Sequence, residues 1–168
     1  MPALLKTALE NLKVPQLKDL ASYLPGETPT RKQELVDKIV SGMLGKDART
    51  VWDLLNELQR AAVMDALHDG SHDSRRFVAR HGANPSFVVD GEKSSYYYDK
   101  KASALCLFIL YDPVERSYQI PSDLKLVLRA FVPSPKPCQL AGSDKLPADD
   151  VLTVRLAERE AAQELSIL

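Results

Sequence analysis

Residues 12–39 read LKVPQLKDLASYLPGETPTRKQELVDKI, and the spacing of their apolar positions decides the architecture of the first part of the chain. Leu17, Leu20, Ala21 and Leu24 fall at i, i+3, i+4 and i+7, one apolar face of a helix. Pro15 stands where a first helical turn tolerates a missing N–H. Pro25-Gly26 ends that helix, and Pro29 keeps the following chain extended, because the residue before a proline is pushed out of the helical region. Thr30 is then the expected N-cap of a second helix that turns Leu35, Val36, Ile39 and Met43 inward and stops at Gly42 or Gly45. Upstream, Leu5, Ala8, Leu9 and Leu12 repeat the spacing, so a helical arm precedes the pair.

Working outward, Val51, Leu54, Leu55, Leu58, Ala62, Ala66 and Leu67 carry a helical period to about His68, opened by Thr50 and Asp53. A break near Asn56 would divide this stretch into two helices, and the period alone leaves both readings open. Asp69-Gly70-Ser71 is a turn; Asp73 or Ser74 caps a short helix through Phe77 and Val78 to Gly82. From Ala83 to Lys101 helical signals stop, and a hairpin over residues 87–98 with its turn near Asp90-Gly91 is expected. The run ASALCLFILY, residues 102–111, is buried as either helix or strand. Pro121-Ser122-Asp123 opens an amphipathic helix through Leu124, Val127, Leu128 and Phe131, ended by Pro133, Pro135 and Pro137. A last helical signal, around Glu158 to Leu165, ends while still apolar in Leu165, Ile167 and Leu168, as if cut before its packing partner.

The chain has 168 residues, 45% hydrophobic and 27% charged, which is globular usage. No apolar run approaches the roughly 18 residues of a membrane span, and the N-terminus lacks a signal peptide's apolar block, so a soluble, cytoplasmic protein is expected. Cys106 and Cys138 give no disulfide framework. Lys plus Arg number 22 against 23 for Asp plus Glu, a net charge of −1, which argues against an extensive nucleic-acid footprint. Divided along the chain, the balance is +2 over residues 1–46, −2 over 47–90, +2 over 91–140 and −3 over 141–168. Any nucleic-acid contact must therefore be local.

Chemistry is sparse. The chain has no GxxxxGK[ST], GxGxxG or GxSxG motif. His68 and His72 stand four apart, but Gly70 between them breaks the helix a metal pair would need, and a solvated Asp/His turn is the better reading. Cys106 lies in an apolar run and reads as a small core residue. No catalytic set, metal site or cofactor is expected. Arg75, Arg76 and Arg80 share a short helix, and Lys93, Lys100 and Lys101 flank Tyr96-Tyr97-Tyr98, a mixture found in single-strand binders. Core tyrosines with lysines solvating the strand ends explain the second set more simply.

Residues 12–39 resemble the SAP motif, a helix–extended–helix DNA-binding module. The matching pieces are Leu12-Lys13-Val14, Leu17-Lys18, Leu20, and Thr30-Arg31-Lys32-Gln33-Glu34-Leu35 with Ile39. Thr30 stands where the family carries glycine, and the loop from Pro25 to Pro29 is richer in proline than the usual pattern. The resemblance implies weak, shape-led binding of double-stranded, AT-rich DNA. A helix N-terminus with Arg31 and Lys32 in its first turn is a natural phosphate seat, and Lys13, Lys18 and Thr30 complete the expected DNA-binding set. Residues 50–168, with WDLLNELQRAAVMDALHD, FVARHGANPSF and IPSDLKLVLRAFVPSP, are similar to bacterial proteins that join a SAP module to a helicase-associated region.

The expected architecture is mainly α. A SAP-like module with its preceding helix covers residues 1–46, and a helical domain of helicase-associated type with a small β-hairpin, in a winged-helix-like variant, covers 47–140. A linker and the start of a further helical element cover 141–168. The expected function is a non-catalytic DNA-binding region, and the rival is a protein-interaction adapter that packs on another protein or on a further part of the same chain.

Overall fold

Three helices realise the N-terminal pattern: α1 (Leu5–Glu10), α2 (Val14–Ala21) and α3 (Lys32–Met43). They come from a computed structural model, which describes residues 4–89 and 101–135. α3 packs against α2, α1 and the following helix α4 (Asp47–Asp53). Leu35, Val36, Ile39 and Met43 of α3 are fully buried, as are Leu5, Leu9, Leu17 and Ala21 opposite. At about 2 kcal/mol for each large side chain removed from water, this stripe is the main local source of cohesion.

The ends of these helices differ from the sequence reading in three places. α2 ends at Ala21 rather than at Pro25, and a tightened turn carries Leu24 into the core: the N–H groups of Tyr23 and Leu24 reach the carbonyls of Leu20 and Ala21 at 3.2 Å each. Gly42 is an interior position of α3, where an added Cβ would lie 3.0 Å from a Leu24 methyl group. It permits close packing rather than ending the helix; of the two expected stop positions Gly45 is the one at the helix end, directly after the C-cap Leu44. Thr30 is not the N-cap. Arg31 is, because its carbonyl accepts the first intrahelical bond, from the Leu35 N–H at 3.1 Å.

The long central stretch is two helices. α4 begins at Asp47, three residues before the expected start at Thr50, and α5 runs Glu57–Asp69. Asn56 separates them through a reciprocal cap: its Oδ1 accepts the Gln59 N–H at 2.8 Å, and Gln59 Oε1 accepts the Asn56 N–H at 3.2 Å. Gly70 closes α5 at φ 90°, a conformation a side chain would strain. Asp73 caps α6 (Ser74–His81) by accepting the N–H groups of Arg75 and Arg76 at 2.8 and 3.2 Å.

The ambiguous run at 102–111 is neither one helix nor one strand. Ala104–Leu107 form a 3₁₀ turn, and Leu110–Asp112 form β1, paired antiparallel with β2 (Ser117–Gln119) in the register Tyr111 opposite Tyr118. Asp112 accepts the N–H groups of Val114 and Glu115 and so shapes the connection. This hairpin is not the one expected over residues 87–98, most of which lies outside the described residues; Val88 and Ala102 form an isolated antiparallel bridge at its flanks. α7 (Ser122–Leu128) follows, and residues 136–168 with their expected terminal helix also lie outside the described part.

One apolar cluster extends from Leu5 to Val132, across the boundary expected at residue 46. Polar ties cross it as well. The Leu5 N–H donates to Asp123 Oδ1 at 3.0 Å, and the Tyr23 hydroxyl donates to the Ala102 carbonyl at 2.9 Å. Trp52 meets Phe108 and Phe131 edge-on, with centroids 6.3 and 6.2 Å away. Among the described residues no helix is long and apolar enough to cross a membrane.

Replacing Asn56 by Ala removes one half of the cap between α4 and α5. The variant is expected to lose about 1 kcal/mol, read as a lower urea midpoint at unchanged slope. An unchanged midpoint would show that the helix break does not depend on that pair.

Candidate nucleic-acid interface

The expected DNA-binding residues lie along α2 and at the start of α3. No side chain at the α3 N-cap accepts a hydrogen bond from the first helical turn, so the dipole and N–H groups of a 12-residue helix are not neutralised by a cap. The Arg31 side chain is 84% exposed, with its guanidinium 3.6 Å from Glu34, a surface pair of little strength. Lys32 is anchored: its ammonium donates to the Glu10 carbonyl at 2.6 Å, tying the end of α1 to the start of α3. Thr30 is exposed, one residue outside the cap.

Lys13 and Lys18 stand at opposite ends of α2. Lys13 is its N-cap residue, with its N–H held by Gln16 Oε1 at 3.1 Å, and Lys18 lies exposed in the last turn. The structure thus joins Lys32 to α1 and leaves Arg31 reaching outward, with one α2 lysine at the N-cap of that helix and the other in its last turn.

Lys38 was not among the expected residues, yet it organises the loop between the two helices. Its ammonium donates to the carbonyls of Gly26 and Glu27 at 3.0 Å each and reaches that of Leu24 at 3.5 Å. The loop needs such a partner because Pro25 and Pro29 offer no N–H to pair with nearby carbonyls. The available signal was its place three residues after Leu35, on the edge of the apolar face, from which a long side chain can extend back over the loop.

Of the second basic set, Arg80 is held by carboxylates and Arg76 makes an exposed surface pair. Arg80 lies 2.9 Å from Asp65 and 3.7 Å from Asp69, and Arg76 lies 3.9 Å from Asp73. His81 also meets the buried Asp65 at 2.9 Å. Tyr96-Tyr97-Tyr98 lie outside the described residues.

The Asp/His turn is only partly solvated, contrary to the sequence reading. His68 is exposed beside Asp69, but His72 is buried against Phe77 and Phe87, with centroids 5.2 and 5.8 Å away. The reason is that its backbone N–H pairs with the Tyr118 carbonyl at 2.7 Å, drawing the residue under the hairpin. Neither ring nitrogen has a hydrogen-bond partner. Burial lowers the His72 pKa, against an opposing pull from the carboxylates of Asp65 and Asp73. The Asp73 carboxylate is held below its usual range by the N–H groups of Arg76 and Arg75. Cys106, expected in the core, is instead partly buried against it, and burial pushes its thiol up to about 11. No group of three or more His, Cys, Asp or Glu side chains among the described residues is placed to hold a metal.

No family model, curated protein or solved structure matches this chain. The geometry of α1–α3 therefore stands as the basis for the functional reading.

The buried His72 ring sets a pH dependence. Above its ordinary pKa of 6.5 both folded and unfolded states hold it neutral. Below that value the unfolded chain takes up a proton that the folded chain does not, so stability falls with pH until the lowered folded pKa is reached. His72→Phe is expected to flatten the stability curve just below pH 6.5. Parallel curves for the two proteins there would show that burial of this ring is not the cause.

Proposed function

We propose that this chain is a non-catalytic, cytoplasmic DNA-binding region of a larger bacterial protein of DNA metabolism, which seats duplex phosphate at the start of α3. The observation that carries the reading is an uncapped α3 N-terminus with the exposed Arg31 at its N-cap, at the place where the SAP resemblance puts the contact. The first-turn N–H groups offer donors and positive dipole to one phosphate. Arg31 can take the same phosphate or its neighbour bidentately. The Lys32 ammonium lies in the same turn while holding α1 in place, Thr30 adds an exposed hydroxyl, and Lys13 and Lys18 extend the basic surface along α2.

Such contacts position a protein without reading bases, which fits modest affinity and a preference for AT-rich duplex through groove shape. Lys38 supports the arrangement indirectly, since the loop it holds sets where α3 begins.

A second reading, a protein-interaction adapter, draws on the exposed apolar side chains of Leu126 (70% exposed) and Leu4 (56%). It requires no duplex binding, so one measurement separates the two.

Titration of duplex at two salt concentrations is expected to show binding that weakens with salt. In Arg31→Ala/Lys32→Ala, affinity should fall for all sequences, and the salt slope should be smaller by about one for each phosphate left without its cation. Arg31→Ala alone should show part of the effect without touching the Lys32 tie to α1. Salt-independent binding, or unchanged affinity in the double variant, contradicts the proposal.

A further inference from the structure

A groove of about 650 Å³ lies between α2 and the β1–β2 hairpin. One wall is a row of aromatic rings: Phe87 and Tyr118 have centroids 5.3 Å apart, and Tyr118 and Tyr111 5.4 Å. The row follows from strand geometry. Tyr111 and Tyr118 are cross-strand partners and point to the same side, while Leu110 and Gln119, the adjacent pair, are buried. Half of Tyr111 and 45% of Tyr118 remain exposed. The opposite wall is one side of α2, with the exposed Lys13 and Gln16 at its start and the buried Leu20 in its last turn. Asp19, the acidic residue among the described lining residues, accepts the Ala102 N–H at 3.3 Å. Next to Ala102, the Lys101 ammonium lies 5.3 Å from the centroid of the Tyr23 ring.

The planes of Tyr111 and Tyr118 stand 61° apart and those of Phe87 and Tyr118 40° apart, so each tyrosine can take a base of its own but the two cannot hold one base flat between them. Such rings opposite an ammonium and the positive end of a helix match one ligand chemistry, an unpaired base carrying its phosphate. The volume is that of a site for one or two bases. An apolar peptide would use the floor of such a groove but not the line of half-exposed tyrosines or the exposed cation opposite them.

We infer that this groove takes unpaired bases of single-stranded DNA, which stack on Tyr111 and Tyr118 while Lys13 meets the adjoining phosphate. The inference goes beyond the duplex reading and shares only Lys13 with it. A duplex keeps its bases stacked on one another, so the two contacts serve different strand states.

Fluorescence anisotropy with a labelled oligothymidylate and a labelled duplex tests this on the full chain. Tyr111→Ala/Tyr118→Ala is expected to weaken single-strand binding by at least about tenfold and leave duplex binding unchanged. Tyr111→Phe/Tyr118→Phe, which keeps the rings, should bind like the wild type. Arg31→Ala/Lys32→Ala should show the reverse pattern, so failure of either reading is seen separately. If circular dichroism shows the alanine pair to be unfolded, Tyr111→Ala alone decides by the same criterion. The inference is overturned if the wild type shows no saturable binding of the oligothymidylate, as for a groove filled by other residues of the chain or built for a peptide. It is equally overturned if the alanine variant binds as tightly as the wild type, or if the phenylalanine pair loses as much as the alanine pair.

Discussion

The apolar face of α3 is the constraint on which the described structure depends. Leu35, Val36, Ile39 and Met43 are fully buried against α1, α2 and α4, so α3 cannot rotate or slide without exposing them. Gly42 fixes the depth of the contact, because Leu24 rests where its side chain would be. With the axis of α3 held in this way, the position of its first turn is also held, and Arg31 is presented at a defined place. Lys38 and Lys32 then secure the two chain segments that approach that turn, the loop at 24–27 and the end of α1. Three forces thus act on one helix end: burial, a charged side chain on loop carbonyls, and a lysine bridge.

Charge is distributed to the same effect. Asp65, Asp69 and Asp73 have Arg76 and Arg80 as partners within their own region, and the His81 ring also meets Asp65. In the N-terminal segment Lys6 pairs with Asp37, and Lys32 and Lys38 are tied to carbonyls, while Arg31 reaches outward from the start of α3. A net charge of −1 therefore coexists with a local cationic helix start. The common core from Leu5 to Val132 makes the N-terminal helices part of a larger body, so a load on α3 is borne by α1 and by its tie to Asp123 at the start of α7.

Helical periodicity made the helices readable in the sequence, since each buried stripe is a local pattern of i, i+3 and i+4 positions. Asp73, Gly70 and Gly82 were legible for the same reason: capping and left-handed closure depend on one residue and its near neighbours. What failed to show depends on partners distant in sequence. The N-cap of α3 at Arg31 rather than Thr30 goes with a bond from Lys32 to Glu10, and the burial of His72 depends on Tyr118. The run at 102–111 combines a 3₁₀ turn with a strand whose partner lies beyond a turn shaped by Asp112, and no single period describes it. At the candidate site, Arg31 and Lys32 were nominated through motif resemblance, whereas the role of Lys38 depends on the loop carbonyls of Leu24, Gly26 and Glu27, which the helical period does not reveal.

The central claim is that a phosphate sits on the first turn of α3. The most direct measurement is an amide-resolved NMR titration of the chain with a short AT-rich duplex at low salt. The account predicts that the largest saturable shifts fall on the amides of Lys32, Gln33 and Glu34, with Arg31 beside them, and that added salt reverses them. Shifts confined to other elements, or none at all, would contradict it.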